Sequence, residues 1–197
     1  LLDLPPYQLP RLPNLGIVTW VRLRGFLRTA GGIIVATVAA VWLLQSVPVG
    51  GQGSFADVPV QDSAYAAAAQ ALTPVFEPAG FGNWQAVGAL TVGFVAKEAV
   101  ISSWAQTYAV DEPDDLHSPG TLGDAISADF AASSGGHTTA AVFAFLVFLL
   151  AYTPCVATLA TQWREIGRRW TLFGVAVQLS VAWVAAVAVF QLGRLIT

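Results

Sequence analysis

Apolar residues fall into long runs at 30–48, 84–110, 138–162 and 170–195, separated by segments rich in Pro, Gly and charge. Ala30 to Val47 contains no charged residue and ends at Pro48 with Gly50-Gly51. Its length sits near the lower end of what a bilayer core requires, about 17–25 residues. Upstream, Leu1 to Pro13 is Pro-rich, which predicts an extended connector. From Leu15 to Arg28 the apolar positions Ile17, Val18, Trp20, Val21, Leu23 and Phe26 alternate with arginines. That pattern predicts an amphipathic helix at headgroup level, so residues 1–29 read as connector plus interfacial helix and 30–197 as the membrane domain. Ser63 to Phe76 is Ala-rich and too short to span, which places it at the interface. Asp111 to His137 is acidic and rich in Gly and Ser, and reads as the longest exposed loop.

Composition supports a lipid-embedded chain. Hydrophobic residues make up 55% and charged residues 11%, where a soluble domain carries roughly a quarter charged residues. Too few charges remain to coat a wetted surface. The expected class is all-α, a polytopic helical membrane protein. No Met occurs and the chain opens on Leu1, which predicts that it belongs to a longer protein. A single cysteine, Cys155, excludes an internal disulfide and any multi-cysteine metal centre within the chain. No Gly-rich Lys-Ser/Thr loop is present, so the chain is not a nucleotide-hydrolysing domain and reads as a non-enzyme.

Charge placement predicts orientation. Arg11, Arg22, Arg24 and Arg28 put the start in the cytoplasm, and Arg164, Arg168 and Arg169 put the short connector there too. The loops at 49–62 and 111–137 carry no Lys or Arg and are expected outside. Both flanks of 84–110 are then external. The segment must enter and return as a hairpin, or cross in a broken, paired fashion; the hairpin is the favoured expectation. Trp20, Trp84, Trp104, Trp163 and Trp170 suit interface belts.

Within that segment, Lys97 and Glu98 stand side by side among apolar and small residues. Ionisable groups at membrane depth cost several kcal/mol and mark ion or substrate paths. On one continuous helix Thr91, Glu98, Ser102 and Gln106 would form a single stripe, flanked by Gly88, Ala89, Gly93, Ala96, Ala99 and Ala105, whose size permits close approach. Glu98 then attracts a cation and Lys97 balances it or anchors the turn. The alternative is a snorkelling Lys and a Glu capping a half-helix. In the second constellation, Tyr152 to Thr158, Pro154 has no amide hydrogen, so the carbonyl of Leu150 loses its helical partner. Cys155, Thr158 and Gln162 fall on one face. A sulfur beside hydroxyls and carbonyls suits a borderline-soft divalent metal, while a lone cysteine is otherwise a small packing residue. His117 and His137, with Asp111, Glu112, Asp114, Asp115, Asp124 and Asp129, read as a solvated loop with weak cation affinity.

Leu4-Pro5-Pro6-Tyr7 with Leu9-Pro10, Gly93 to Glu98, and Tyr152 to Leu159 together resemble the ferrous iron transport protein B family. The order is that of the C-terminal part of its membrane domain, and the last two motifs resemble its second Gate element. The resemblance implies Fe2+ as the transported substrate, with no stably bound cofactor, and a multi-pass place in the bacterial inner membrane. It implies partners: the lipid bilayer, an upstream GTPase domain holding GTP and Mg2+, a first Gate half of the same parent chain, and small Feo accessory proteins. Assembly as a homo-oligomer is left open, and no nucleic acid is expected. Cys155 carries over as the iron-pathway ligand and Glu98 as the cation-attracting group, with Thr91, Lys97, Ser102, Gln106, Thr158 and Gln162 lining the path. A Gate-type transporter of nucleosides or another small solute, and a non-transporting membrane scaffold, are the alternatives.

Overall fold

The computed structural model describes residues 12–49, 55–95, 97–110 and 120–196. Among the described residues the chain is all-α, as expected. The helices are α1 (Leu12–Ser46), α2 (Ala64–Phe76), α3 (Trp84–Gly93), α4 (Val100–Tyr108), α5 (Gly120–Ser134), α6 (Thr138–Ala151), α7 (Val156–Glu165) and α8 (Arg168–Gly193). The Pro-rich connector at 1–11, the acidic run at 111–119 and with it His117 lie outside the described residues.

The sequence places an interfacial helix before a separate span, but α1 is a single helix of 35 residues. No proline interrupts Leu15 to Val47, and the glycines at 16, 25, 31 and 32 cost about 1 kcal/mol each in a helix interior without forcing a break. At about 52 Å by helical rise, α1 is longer than the roughly 30 Å of a bilayer core. Its end is stitched to α2: the amide of Ala64 donates to the carbonyl of Val47 (2.9 Å) and that of Val49 to Asp62 (3.0 Å). Ser63 and Asn83 start α2 and α3 as caps, accepting from the amides of Ala66 (3.3 Å) and Ala86 (2.7 Å).

Within the loop expected at 111–137, residues Gly120–Ser134 instead form α5, a helix of 15 residues. Leu122, Ile126 and Phe130 recur every four residues and turn one apolar stripe inward, with Leu122 and Phe130 buried. The acidic and Gly/Ser-rich composition masks this short stripe. Asp129 accepts a hydrogen bond from the Tyr108 hydroxyl at the end of α4.

An aromatic cluster centres on α6. Phe81 packs edge-on to Phe145 (5.5 Å between ring centres), and Trp104 lies 5.1 Å from Phe145, with Phe130 edge-on to both. Trp104 is 6% exposed, so it belongs to this core and not to an interface belt; Trp20, Trp163 and Trp170 are exposed. α6 makes its most extensive packing with α8. Both faces there are small, with Ala140, Ala141, Ala144, Ala182 and Ala186 buried, and a Cβ added at Gly193 would come within 2.8 Å of the Cβ of Ala140. Small-residue faces are how helices associate where lipid removes the hydrophobic drive.

Among the described residues, α8 is long and apolar enough to cross a bilayer unaided; α5 and α6 pass only as a pair bent by 99°. α6, with 14 residues, spans about 21 Å and stops short of a full crossing.

Candidate functional site

Two helix breaks face each other at the centre of the chain. The first separates α3 from α4. A Cβ at Gly93 would lie 2.8 Å from Cγ2 of Val100 and 3.1 Å from the Tyr152 hydroxyl, so only glycine admits both neighbours. After it the chain tightens, with the amide of Val95 donating to the carbonyl of Val92 (2.9 Å) and a 3-10 turn at Lys97–Ala99.

The chain then reverses. The Tyr65 hydroxyl lies 3.4 Å from Oγ of Ser103 on α4 and 2.8 Å from where a Cβ of Gly88 on α3 would stand. On an unbroken helix those two positions would be about 22 Å apart. The broken hairpin expected from charge parity is therefore present. Its existence corrects the single polar stripe. Thr91 remains on α3, donating to the carbonyl of Val87 (3.1 Å) and lining a cavity of about 250 Å³ with Phe94, Tyr152 and Thr153. Ser102 and Gln106 line a different cavity, with α1. The side chain of Glu98 lies outside the described residues.

The second break separates α6 from α7. α6 ends at Ala151, Pro154 follows, and Cys155, extended at φ −60° and ψ 160°, opens α7. The amides of Thr158 and Leu159 both donate to the carbonyl of Cys155 (2.9 and 3.1 Å). The Cys155 sulfur is half-buried and stands 3.4 Å from Oγ1 of Thr158, so the spacing does bring these two together. Gln162 lies half-buried a further turn along α7. Thr153, next to the break, is 2% exposed, and its hydroxyl makes no hydrogen bond.

The two breaks are tied to one another crosswise. Nζ of Lys97 donates to the carbonyl of Leu150 (3.2 Å), the carbonyl that Pro154 deprives of its helical amide. The same ammonium stands 5.1 Å over the Tyr152 ring. In return, the Tyr152 hydroxyl donates to the carbonyl of Leu90 on α3 (3.2 Å). Lys97 thus occupies the Leu150 carbonyl, which sequence reasoning left available as a metal ligand. Its described contacts are those of a latch.

Among the described residues no group of three or more His, Cys, Asp or Glu side chains gathers to hold a resident metal. His137 stands at the N-cap of α6, Asp124 and Asp129 lie on α5, and the acids at 111–115 with His117 lie outside the described residues. Sequence reasoning missed Tyr65 and Gln45, and it placed Tyr152 in the second constellation without giving it a role. Tyr65 is a large hydroxyl-bearing ring in a run of alanines, and the odd residue in such a run was the available signal.

The Gate family, described as nucleoside recognition, matches residues 27–169. The chain belongs to the Gate family. This Gate chain is also similar over its full length to the Fe(2+) transporter FeoB of Methanocaldococcus jannaschii, at 36% identity, covering 28% of that protein. FeoB of Staphylococcus aureus (strain COL) is 32% identical over 99% of the chain and 27% of its own length, and that of Salmonella typhi 28% over 96% and 29%. The likeness to ferrous iron transport protein B read from the motifs is borne out, and the chain spans a little over a quarter of the relatives it matches. No solved structure matches it.

Proposed function

We propose that this Gate chain is the C-terminal part of the membrane domain of a GTPase-linked Fe2+ transporter, set in a bacterial inner membrane as a multi-pass element. The opened turn at 152–155 carries the reading. It presents the Cys155 sulfur and the Thr158 hydroxyl 3.4 Å apart at the start of α7. Fe2+ accepts sulfur beside oxygen ligands, whereas Mg2+ and Ca2+ take oxygen.

In this mechanism Fe2+ passes the break by exchanging ligands with Cys155 and Thr158, and Gln162 receives it one turn on. Lys97 and Tyr152 hold the two breaks in register, and opening the path separates them. Glu98 supplies the negative charge that draws the cation inward. GTP with Mg2+ acts in the upstream domain of the parent chain, and the accessory Feo proteins and first Gate half act alongside.

Cys155→Ser in the full-length parent protein is the test. Serine keeps the size and a weak oxygen donor, so a packing cysteine tolerates it. Initial-rate Fe2+ uptake, normalised to folded protein, falls at least about tenfold if the sulfur is a ligand. A rate near wild type for both Cys155→Ser and Glu98→Gln removes the assignment. The family description and the uncharged cavity beside α4 favour a second reading, transport of a small neutral solute. Saturable solute uptake by the parent protein with no Fe2+ uptake would select it.

A further inference from the structure

Among the described residues, Thr153 carries the one buried side-chain oxygen without a hydrogen-bond partner, and that oxygen is closed off from water as well. Thr73, Thr91, Thr107 and Thr171 show the ordinary solution. Each donates to the carbonyl four residues back, at 3.1, 3.1, 2.8 and 3.0 Å. Thr153 has lost that return. Tyr152 leaves the helical path at ψ −95°, and Pro154 keeps the residue before it out of the helical region. α6 ends after about 21 Å of helical rise, inside a bilayer core of roughly 30 Å, where an unserved hydroxyl is most costly. A cost retained at a break between two latched elements points to a second arrangement, in which the oxygen is served.

We infer that Thr153 is a further ligand of the transported cation, turned away in the closed break and exposed to the ion when the break opens, so that the ion itself favours opening; the inference rests on the iron-transport reading. In the closed arrangement the bonds of Lys97 to Leu150 and of Tyr152 to Leu90 hold the segment on either side of Thr153. Close-packed interiors leave little space for a ring to move. Here a cavity of about 250 Å³ lies beside Tyr152 and Thr153, so the segment has room to shift once the two bonds part. Thr153 stands two residues before Cys155 in the same non-helical stretch. Its hydroxyl then joins the Cys155 sulfur and the Thr158 hydroxyl, a mixed sulfur and oxygen set that suits Fe2+. The ion binds the open break better than the closed one, because only the open break offers this oxygen. That difference shifts the population toward the open state.

The test is hydrogen–deuterium exchange at 148–159 in the full-length parent transporter reconstituted in vesicles, without metal and with Fe2+ under anaerobic conditions, beside initial-rate Fe2+ uptake. Fe2+ accelerates wild-type exchange there. Thr153→Val keeps the shape and removes the oxygen. It slows metal-free exchange about fivefold, since the closed break no longer carries an unserved hydroxyl. It also abolishes the acceleration by Fe2+ and lowers uptake about tenfold. Thr153→Ser keeps the oxygen and retains the response to Fe2+, so the result does not hang on the folding of one variant. Ser180→Ala, which removes an exposed α8 hydroxyl already bonded to the carbonyl of Ala176, changes none of these. A response to Fe2+ in Thr153→Val equal to wild type, or none in a wild-type protein that takes up Fe2+, overturns the assignment of Thr153 and leaves the transport reading standing. Faster metal-free exchange in Thr153→Val overturns it too, because the oxygen would then have a partner in the closed break. A parent protein that moves no Fe2+ overturns the transport reading, and this inference with it.

Discussion

Lys97→Met tests whether the two breaks act as one unit. Methionine keeps most of the apolar stem and removes the ammonium, and with it both the bond to the Leu150 carbonyl and the contact over the Tyr152 ring. A hydrogen bond from a charged donor contributes about 1.5–3 kcal/mol and a half-exposed cation–π contact about 0.5–1. Lys97 is only half-buried, so the lower end of the first range applies. One ammonium makes both contacts, and the two do not add fully. The expected loss is about 2 kcal/mol of local stability, or roughly a 30-fold increase in opening of the second break. Hydrogen–deuterium exchange of residues 148–159 reads that opening directly. Exchange there should accelerate toward that factor, while exchange in the middle of α8 stays unchanged. Lys97→Arg, which retains a donor and a cation for the ring, should restore most of the protection. Exchange at 148–159 within twofold of wild type in Lys97→Met would show that Lys97 hangs on the surface of the break and does not hold it.

Tyr152→Phe removes the reciprocal bond to Leu90; since that carbonyl also accepts from the amide of Phe94 (3.0 Å), the cost should stay near 1 kcal/mol in chemical denaturation, and a loss above about 3 would mean the hydroxyl has a further role. Gly80→Ala meets two obstacles, a backbone at φ +79° and the Phe190 ring only 2.2 Å from the new Cβ, so the strained backbone and the overpacking together should remove about 3 kcal/mol; thermal unfolding at wild-type temperature would refute the close approach of the 77–80 turn to α8. Thr153→Val exchanges an unpaired buried hydroxyl for a methyl of the same shape and should leave stability unchanged or raise it by about 1 kcal/mol, whereas a clear loss would reveal a partner for that oxygen in the membrane.

Much of this architecture is legible in the sequence because membrane helices must satisfy their own backbones. Pro154 and the Gly93 region are the places where that rule breaks, and both breaks occur there. The hairpin at 84–110 follows from charge parity, a constraint that needs no coordinates. Two readings failed for opposite reasons. α5 was hidden because its inward stripe of Leu122, Ile126 and Phe130 is short and sits in acidic, Gly/Ser-rich sequence that resembles a loop. The division of α1 was imposed by a change in composition at Thr29 that the backbone does not feel, since no residue there removes a hydrogen bond.

Side-chain destinations were less legible, and the reason bears on function. A stripe drawn through Thr91, Glu98, Ser102 and Gln106 assumes one helical axis, yet the break that makes the segment interesting also removes that axis. The reversal sends Thr91 to one cavity and Ser102 with Gln106 to another. Cys155 and Thr158 stayed together because their spacing spans less than one turn and begins at the start of α7. Periodicity is reliable only within an unbroken helix, and a transport site built on breaks joins residues that periodicity separates. Lys97 and Leu150 are 53 residues apart, and what pairs them is a vacancy: Pro154 leaves a carbonyl without its amide, and the nearest ammonium fills it. Residues that meet the unsatisfied groups of a break are therefore stronger candidates for gating than residues that share a helical face with it, and by that criterion Lys97 and Tyr152 precede Thr91 and Gln162 as targets for mutation.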